Sequence, residues 1–306
     1  MSVALVIGAR GFVGTYVAEH LGSEGWDVIR SSRSISENHD DHHYISVGSD
    51  LSSLTRVLRQ YRPEVVFNLA ASGVGSSATA HELDQGNAGV VRSIMRSVDP
   101  MYTRLVLHAG SWSQYGSPAS SEPLSEDHPR HPTTAYGHAK DRAEQEGRLL
   151  SETVGVPFVT LRLFNVYGHG EATHRLIPSV VRAGLTRTPI DLTDGRQVRD
   201  FVHATDVAAA FCLAAESDLT ETNAFNVGTG IGTPVRDVVL MAANELGIDK
   251  SLLRFGAKPS RQGEPVHVVA NASVFEHATG WHPSIPLVHG VVDTVRRVAA
   301  DRKSHG

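Results

Sequence analysis

The strongest constraint on the fold lies at the start of the chain. Five apolar residues, Val3 to Ile7, run directly into a segment with the spacing G-x-x-G-x-x-G. An apolar run of this length predicts a strand buried on both faces, and helical spacing of apolar residues after Gly11 predicts a helix. Glycines at such a turn let backbone N–H groups and the positive end of the helix approach a pyrophosphate. We therefore expect a dinucleotide to contact Gly8, Arg10, Gly11, Phe12, Val13 and Gly14.

The rest of the chain continues the alternation of strand and helix. Further strands are predicted at residues 26–31, 44–47, 65–70, 104–109 and 158–163, with a long polar helix at 134–154. This rhythm predicts an α/β fold, a doubly wound parallel sheet of the Rossmann type with a smaller, discontinuous C-terminal substrate lobe. We expect residues 1–168 to form the dinucleotide-binding domain, which the chain rejoins around 197–228. Residues 169–306, where prolines become frequent, would form mainly the substrate lobe.

Composition and charge disfavour several classes of protein. The chain is 41% apolar and 20% charged, which is ordinary for a globular protein. Its net charge of −5 disfavours a nucleic-acid binder. The single Cys212 excludes an internal disulfide and suits a reducing cytoplasm. The apolar start lacks a basic n-region and is interrupted by glycines, so we expect no signal peptide, no membrane anchor and a cytoplasmic location.

The end of the second predicted strand bears on the choice of cofactor. An NAD site usually has a carboxylate there, which bonds the adenosine ribose. This chain instead reads Arg30-Ser31-Ser32-Arg33. Ser32 and Arg33 suit a 2′-phosphate as a hydroxyl donor and a guanidinium, and Arg10 could approach the same group. The segment favours NADP(H) over NAD(H), although arginines in a solvated loop would look the same.

Seven further motifs follow the glycine loop in order along nearly the whole chain. They are Asp50-Leu51, Asn68-Leu69-Ala70-Ala71, Ser111-Trp112-Ser113-Gln114-Tyr115-Gly116, Tyr136-Gly137-His138-Ala139-Lys140, Arg162-Leu163-Phe164-Asn165-Val166-Tyr167-Gly168, Arg199-Asp200-Phe201-Val202-His203 and Arg261-Gln262-Gly263-Glu264. Together with the glycine loop they resemble the extended short-chain dehydrogenases/reductases, in the branch that modifies nucleotide sugars. The chain departs from the family pattern in having Asn68 for a histidine, Val90 for a glycine and His169 for a proline.

The resemblance implies a role for each matched residue. Cofactor contacts would come from Asp50, Leu51, Leu69, Ala70, Ala71, Tyr136 and Lys140. The diphosphate of a nucleotide-sugar substrate would be held by Asn165, Arg199 and Arg261, and Ser111 would bond the reacting sugar oxygen. The resemblance also suggests a homodimer packed through helices that flank the sheet.

The predicted chemistry centres on Ser111, Tyr136 and Lys140. Tyr136 and Lys140 are four residues apart on a predicted helix, so they share a face. We expect the ammonium of Lys140, together with an oxidised nicotinamide, to lower the tyrosine pKa from about 10. Tyr136 could then exchange a proton with a sugar oxygen during hydride transfer, while Lys140 holds the nicotinamide ribose. Ser113 is a less favoured alternative to Ser111.

Two other chemistries are disfavoured. In nucleotide-sugar dehydratases, which resemble this region, an Asp-Glu pair follows the catalytic hydroxyl residue, whereas this chain has Trp112 and Ser113. The histidine and aspartate run at residues 39–43 lacks an ordered ligand spacing, so we expect a solvated loop and no metal.

Three functions are consistent with these motifs. The favoured one is NADPH-dependent reduction of a nucleotide-linked 4-keto-6-deoxy sugar, with Tyr136 as proton donor. The first alternative is an NAD-dependent nucleotide-sugar 4-epimerase, which would return the same hydride instead of consuming NADPH. The second is a non-catalytic dinucleotide-binding protein, against which the retention of Ser111, Tyr136 and Lys140 argues.

Overall fold

Strands and helices alternate along the part of the chain that the computed structural model describes, which is residues 2–32, 44–46, 52–72, 78–219, 224–260 and 263–304. The strands are β1 (Val3–Ile7), β2 (Asp27–Ser32), β3 (Tyr44–Ser46), β4 (Val65–Asn68), β5 (Leu105–Ser111), β6 (Phe158–Leu163), β7 (Asn165–Tyr167), β8 (Ile190–Leu192), β9 (Val198–His203), β10 (Ala224–Val227), β11 (Gly232–Pro234), β12 (Leu253–Phe255) and β13 (His267–Val268). The α-helices are α1 (Phe12–Ser23), α2 (Ser52–Tyr61), α3 (Ala80–Asp84), α4 (Val90–Met95), α5 (Ala135–Val154), α6 (Leu176–Thr186), α7 (Ala204–Glu216), α8 (Val235–Glu245), α9 (Ser273–Thr279) and α10 (Leu287–Ser304). Among these helices, none combines the length and the hydropathy that a bilayer span requires.

Seven parallel strands form the central sheet. Their order is β3-β2-β1-β4-β5-β6-β10. Successive residues of β1 point to opposite faces, so Ala4 and Val6 pack with α1 and α7, whereas Leu5 and Ile7 pack with α2, α4 and α5. Helices on both faces explain why the central strands are almost entirely apolar. The predicted doubly wound α/β fold is confirmed.

The second half of the chain builds a smaller unit around β9. Strands β11 and β13 flank β9, which also pairs with β7, and β8 pairs with β12. Helices α6, α8 and α10 enclose a separate apolar core that includes Val180, Val238 and Val295. The chain returns to the large sheet with α7 and β10, which makes the smaller unit discontinuous. The boundaries assigned to the two domains from the sequence stay predictions.

Two strand boundaries differ from the sequence-based prediction in ways that matter for the site. Strand β4 ends at Asn68, so Leu69 to Ala71 leave the sheet and enter the loop region at its edge. Strand β5 runs on to Ser111, which is therefore its last residue, whereas the prediction ended the strand at residue 109 and placed Ser111 just after it.

The sequence-based prediction also missed the helical stretch at 80–95, which a π-helical turn at Gln85–Gly89 interrupts. That turn brings Gly86 so close to Ser72 that an added Cβ would lie 2.3 Å from the Ser72 Cβ.

A buried carboxylate fastens α7 to the segment that leads into α10. Asp206, in the first turn of α7, accepts hydrogen bonds from the Ser284 backbone N–H at 3.0 Å, the Ser284 hydroxyl at 2.8 Å and the Ile285 N–H at 3.1 Å. Its backbone carbonyl also accepts the indole N–H of Trp281 at 2.9 Å. This one residue therefore joins the large sheet's helical layer to the C-terminal helix.

Replacing Asp206 by asparagine tests that junction. In Asp206→Asn the new amide would place an NH₂ group against a backbone N–H, so two donors would face each other without an acceptor. We expect the free energy of unfolding, measured with urea, to fall by about 1–3 kcal/mol. The matched substitution Asp218→Asn on the exposed residue after α7 should change it by less than about 0.5 kcal/mol. Equal effects of the two substitutions would contradict the role given to Asp206.

Candidate active site

The carboxyl ends of three central strands bring the predicted motifs together. The glycine loop follows β1, residues 69–71 follow β4, and Ser111 ends β5. These strands are neighbours in register, since Asn68 of β4 pairs with Ile7 on one side and with His108 on the other. In doubly wound sheets ligands bind at this edge.

The glycine loop is shaped by close backbone approaches. Gly8 has a φ of +84°, and a Cβ there would lie 2.8 Å from the backbone nitrogen of Ala70. A Cβ on Gly14 would lie 2.1 Å from the Gly8 carbonyl oxygen. Gly11 precedes α1 without a side-chain cap, which leaves the first N–H groups of the helix available to an anion. The loop therefore fits a dinucleotide pyrophosphate.

The end of β2 lies against this loop. The N–H groups of Gly8 and Ala9 both donate to the Ser31 carbonyl at 3.2 Å. Ser31 is 1% exposed, and its hydroxyl has no hydrogen-bond partner among the described residues. Ser32 is partly exposed one position later. Ser31 is thus a further candidate cofactor contact, which we overlooked because it looks like an ordinary strand residue.

Some predicted cofactor contacts are placed and others are not. Leu69, Ala70 and Ala71 line the edge beside Gly8, and Arg10 is exposed on the loop. Four predicted site residues lie outside the described residues: Arg33, Asp50, Leu51 and Arg261.

Ser111, Tyr136 and Lys140 converge at the same edge. The hydroxyls of Ser111 and Tyr136 share a hydrogen bond. The Lys140 ammonium lies 5.9 Å from the centre of the Tyr136 ring and donates to the Ala109 carbonyl at 2.8 Å. The hydroxyl of Ser113, which we had given second place, donates to the Ser111 oxygen at 2.9 Å. The structure therefore brings together the three residues on which the predicted chemistry depends.

Burial shifts the two titratable groups in opposite directions, each toward its neutral form. Enclosure of the Tyr136 hydroxyl raises its pKa to about 12, although the nearby charge of Arg175 and the hydrogen bond with Ser111 act to lower it. Burial of Lys140, which is 1% exposed, lowers its pKa to about 7. The sequence-based expectation of a lowered Tyr136 pKa concerned the site with an oxidised nicotinamide bound; in the protein alone the Tyr136 pKa is raised, because burial outweighs the surrounding charges.

Two of the predicted diphosphate ligands lie on adjacent strands near Ser111. The side-chain amide of Asn165, on β7, donates to the backbone carbonyl of Asp200, on the neighbouring strand β9, at 3.3 Å. The Arg199 side chain is 7% exposed and donates to Glu264 at 3.2 Å. Its guanidinium carbon lies 5.8 Å from the centre of the Trp112 ring, the residue that follows Ser111. The predicted substrate side and the catalytic side therefore meet at Trp112.

The loop between β7 and α6 packs against the first turn of α1 and carries a titratable group that the sequence motifs do not indicate. Gly170 lies near the Phe12 ring of the glycine loop, and the Tyr16 hydroxyl donates to the His169 carbonyl at 3.0 Å. Burial raises the pKa of the Glu171 carboxyl to about 7 despite the charge of Arg175 nearby. Glu171 is thus a third titratable group near this edge, and only the fold places it there.

The comparisons with known proteins agree with this geometry. Residues 4–228 match the model of the NAD dependent epimerase/dehydratase family. The chain is 30% identical over 311 residues to a UDP-glucose 4-epimerase of Mycolicibacterium smegmatis, covering 95% of this chain and 96% of that one. It is 26% identical over 297 residues to a dTDP-6-deoxy-L-talose 4-dehydrogenase (NAD(P)(+)) of Kitasatospora kifunensis, covering 94% and 92%.

A solved structure extends the likeness to the whole fold. The UDP-glucose 4-epimerase of Thermotoga maritima, determined with UDP-glucose, superposes with a TM-score of 0.88 at 25% identity and covers 100% of both chains. The family match spans the glycine loop, Ser111, Tyr136 and Lys140. The chain belongs to the NAD dependent epimerase/dehydratase family, as the motifs of its sequence predict.

Proposed function

We propose that this protein is a nucleotide-sugar 4-epimerase that acts by reversible hydride transfer at the sugar's fourth carbon. The observation that carries the proposal is the convergence of Ser111, Tyr136 and Lys140 beside a glycine loop that fits a dinucleotide. The 30% identity to a UDP-glucose 4-epimerase over almost the full length supports the same activity.

The side chains of this protein would transfer one proton to and from the sugar hydroxyl during the reaction. Tyr136 would take the proton from the sugar hydroxyl as the ketone forms and return it when the hydroxyl is restored. Ser111 would bond the same oxygen and stabilise the charge that develops there. A bound nicotinamide cofactor supplies the hydride acceptor and, when oxidised, a positive charge. Because the protein alone raises the Tyr136 pKa to about 12, formation of the phenolate depends on added positive charge.

The substrate would be held away from the reacting carbon. We propose that Asn165 and Arg199 bind the diphosphate, with Arg261 as a third ligand, since a guanidinium matches phosphate oxygens with a planar set of donors. Binding energy from this unreactive group would position the sugar at Ser111 and Tyr136. We also propose a cytoplasmic homodimer, as the family resemblance implies.

A 4-ketoreductase is the second candidate, and one feature favours it. Strand β2 ends in Ser31 and Ser32 without the carboxylate that NAD sites usually carry, and Arg33 follows. That segment suits NADP(H), and the dehydrogenase of Kitasatospora kifunensis is named for both cofactors. The comparisons favour the epimerase over the ketoreductase that we expected from the sequence, and they lend no specific support to NADP. The epimerase is therefore our first candidate.

The fate of the cofactor separates the two functions. The purified protein, supplied with NAD, should interconvert UDP-glucose and its 4-epimer, because the hydride taken from the sugar returns to it. Chromatography of the nucleotide sugars and absorbance at 340 nm measure both quantities, and we expect no net cofactor consumption. Consumption of one NADPH per molecule of a 4-keto-6-deoxy nucleotide sugar, with no interconversion of UDP-glucose, would instead establish the ketoreductase. Normal cofactor binding without turnover of either substrate would favour a non-catalytic role.

Removing the Tyr136 hydroxyl should stop turnover without unfolding the site. Tyr136→Phe keeps the ring but loses the proton donor, so kcat should fall by about 10²–10⁴-fold while cofactor binding persists. The control Tyr102→Phe, on a partly exposed ring that stacks with Arg62, should leave kcat unchanged. Retention of more than about a tenth of the wild-type kcat by Tyr136→Phe would show that another group transfers the proton.

The depressed pKa of Lys140 predicts a specific dependence of stability on pH. Its folded pKa of about 7 lies below the ordinary value of 10.5, so the unfolded chain binds more protons between these two pH values. The stability contributed by this group therefore rises with pH across that window. In the cofactor-free protein, the free energy of unfolding of the wild type minus that of Lys140→Met should increase by about 1.4 kcal/mol per pH unit.

Urea denaturation of both proteins at pH 7, 8 and 9 measures how this difference in free energy of unfolding changes with pH. The control Lys250→Met removes an exposed lysine, and its stability should follow the wild type in parallel. Parallel curves for wild type and Lys140→Met would mean that Lys140 keeps an ordinary pKa in the folded protein.

A further inference from the structure

A buried polar network lies behind Ser111 and has no part in the proton transfer described above. It begins at Gln114, which is fully buried in the short 3₁₀ turn after β5. The Gln114 side-chain oxygen accepts the backbone N–H of Ser111 at 2.9 Å. The Ser111 side-chain oxygen in turn accepts the backbone N–H of Ser113 at 3.2 Å. Ser111 as the N-cap and Gln114 as the third residue of the turn thus form a reciprocal capping box.

The other end of the Gln114 amide is held by a carboxylate on the catalytic helix. Its nitrogen donates to Glu144 of α5 at 2.7 Å. Glu144 follows Lys140 by one helical turn and lies on the same face of α5. Gln114 therefore connects the strand end that carries Ser111 to the helix that carries Tyr136 and Lys140.

Glu144 is itself fixed by charged partners. Arg162 of β6 donates to both of its oxygens, at 2.5 Å and 3.0 Å, and Arg130 donates at 2.6 Å. The carboxylate thus has a guanidinium in fork geometry on one side and the Gln114 amide on the other. A carboxylate with several fixed donors has little freedom to move.

The network continues through Arg162 to the edge strand of the sheet. Arg162 donates to the Tyr115 hydroxyl at 2.8 Å, and that hydroxyl donates to Asn226 of β10 at 2.7 Å. The backbone N–H of Asn226 donates to Glu126 at 2.7 Å. The network therefore joins β5, β6, β10 and α5 behind the site.

Two glycines show how tightly this segment is seated. A Cβ on Gly110 would lie 2.9 Å from the Gln114 oxygen and 2.5 Å from the Thr160 methyl group. A Cβ on Gly137 would lie 2.5 Å from the Ser113 carbonyl oxygen. The segment around Ser111 therefore lies in direct contact with both the sheet and α5, and small shifts of Gln114 would be passed on to Ser111.

A buried ion pair of this kind is a poor source of net stability, because desolvation of the charges offsets their attraction. Its effect is on geometry, because the hydrogen bonds among Gln114, Glu144 and Arg162 fix the position of each side chain. We propose that Gln114, held by Glu144 and Arg162, is a positioning residue that sets the Ser111 hydroxyl at hydrogen-bonding distance from Tyr136. This inference rests on the roles of Ser111 and Tyr136 in the proposed function.

A double-mutant cycle tests the proposal. Gln114→Met keeps the length of the side chain and removes both hydrogen bonds. We expect it to lower kcat for UDP-glucose about 10–100-fold in the wild-type background, with KM and cofactor content changed less than about twofold. In the Ser111→Ala background the same substitution should lower kcat by less than about twofold, because Gln114 acts through Ser111. The matched control Gln145→Met, on the exposed face of α5, should leave kcat unchanged in both backgrounds.

Amide hydrogen exchange provides a readout that needs no turnover. The Ser111 N–H should exchange at least about tenfold faster in Gln114→Met than in wild type, because its acceptor is gone, and Gln145→Met should not change it. If Gln114→Met does not fold, the same two measurements on Glu144→Gln test the coupling to Ser111, because Glu144 holds the Gln114 amide.

The outcomes separate the two levels of inference. A wild-type protein that does not turn over UDP-glucose would count against the proposed function, whereas a Ser111→Ala variant with unchanged kcat would overturn the role given to Ser111 and with it the positioning role of Gln114. Loss of kcat in Ser111→Ala together with an equal further loss from Gln114→Met in both backgrounds would overturn only the positioning role. Unchanged exchange of the Ser111 N–H in Gln114→Met would also overturn it.

Discussion

The organisation of this molecule depends on a sheet whose strands all point the same way and are covered on both faces. Such strands have no solvated face on which to carry polar side chains, so chemistry has to gather where the strands end. The glycine loop, Ala70 and Ser111 follow or end three neighbouring strands, and therefore meet without any special contact between them. Helix α5 then supplies Tyr136 and Lys140 to the same edge. The candidate catalytic side chains thus share one edge because the strands are parallel, whatever contacts the side chains then make with one another.

The same burial that gathers these groups also sets their protonation. Enclosure raises the pKa of Tyr136 to about 12 and lowers that of Lys140 to about 7, so at neutral pH the protein alone keeps the phenol protonated and leaves Lys140 partly charged. A neutral phenol is a proton donor and cannot accept one. The site is therefore prepared for only one direction of proton transfer until positive charge is added beside Tyr136. An epimerase needs both directions in each turnover, whereas a ketoreductase needs donation alone, which makes the charge state of Tyr136 central to the choice between them.

The sequence was sufficient to predict the fold and to select Ser111, Tyr136 and Lys140 as candidate catalytic residues, because both inferences rest on local patterns. The apolar run before Gly8 and the four-residue step from Tyr136 to Lys140 can be recognised without knowing what lies opposite them. The supporting network could not be found in this way. Glu144 and Arg162 are 18 residues apart on different elements, and their pairing depends on how α5 crosses β6. The raised pKa of Tyr136 in the protein alone could not be predicted for the same reason, since the extent of burial is a property of the assembled structure.

The departures from the family pattern show a related limit. Asn68, where the family has histidine, is fully buried at the end of β4, and its amide lies 3.0 Å from His108 Nδ1 on β5. Burial and the charge of Lys140 hold the pKa of His108 well below its ordinary value, so its ring is neutral. Asn68 therefore lies within the packed sheet. We expect substrate preference to depend instead on Trp112, which follows Ser111, and on Arg199, whose guanidinium carbon lies 5.8 Å from the centre of the Trp112 ring.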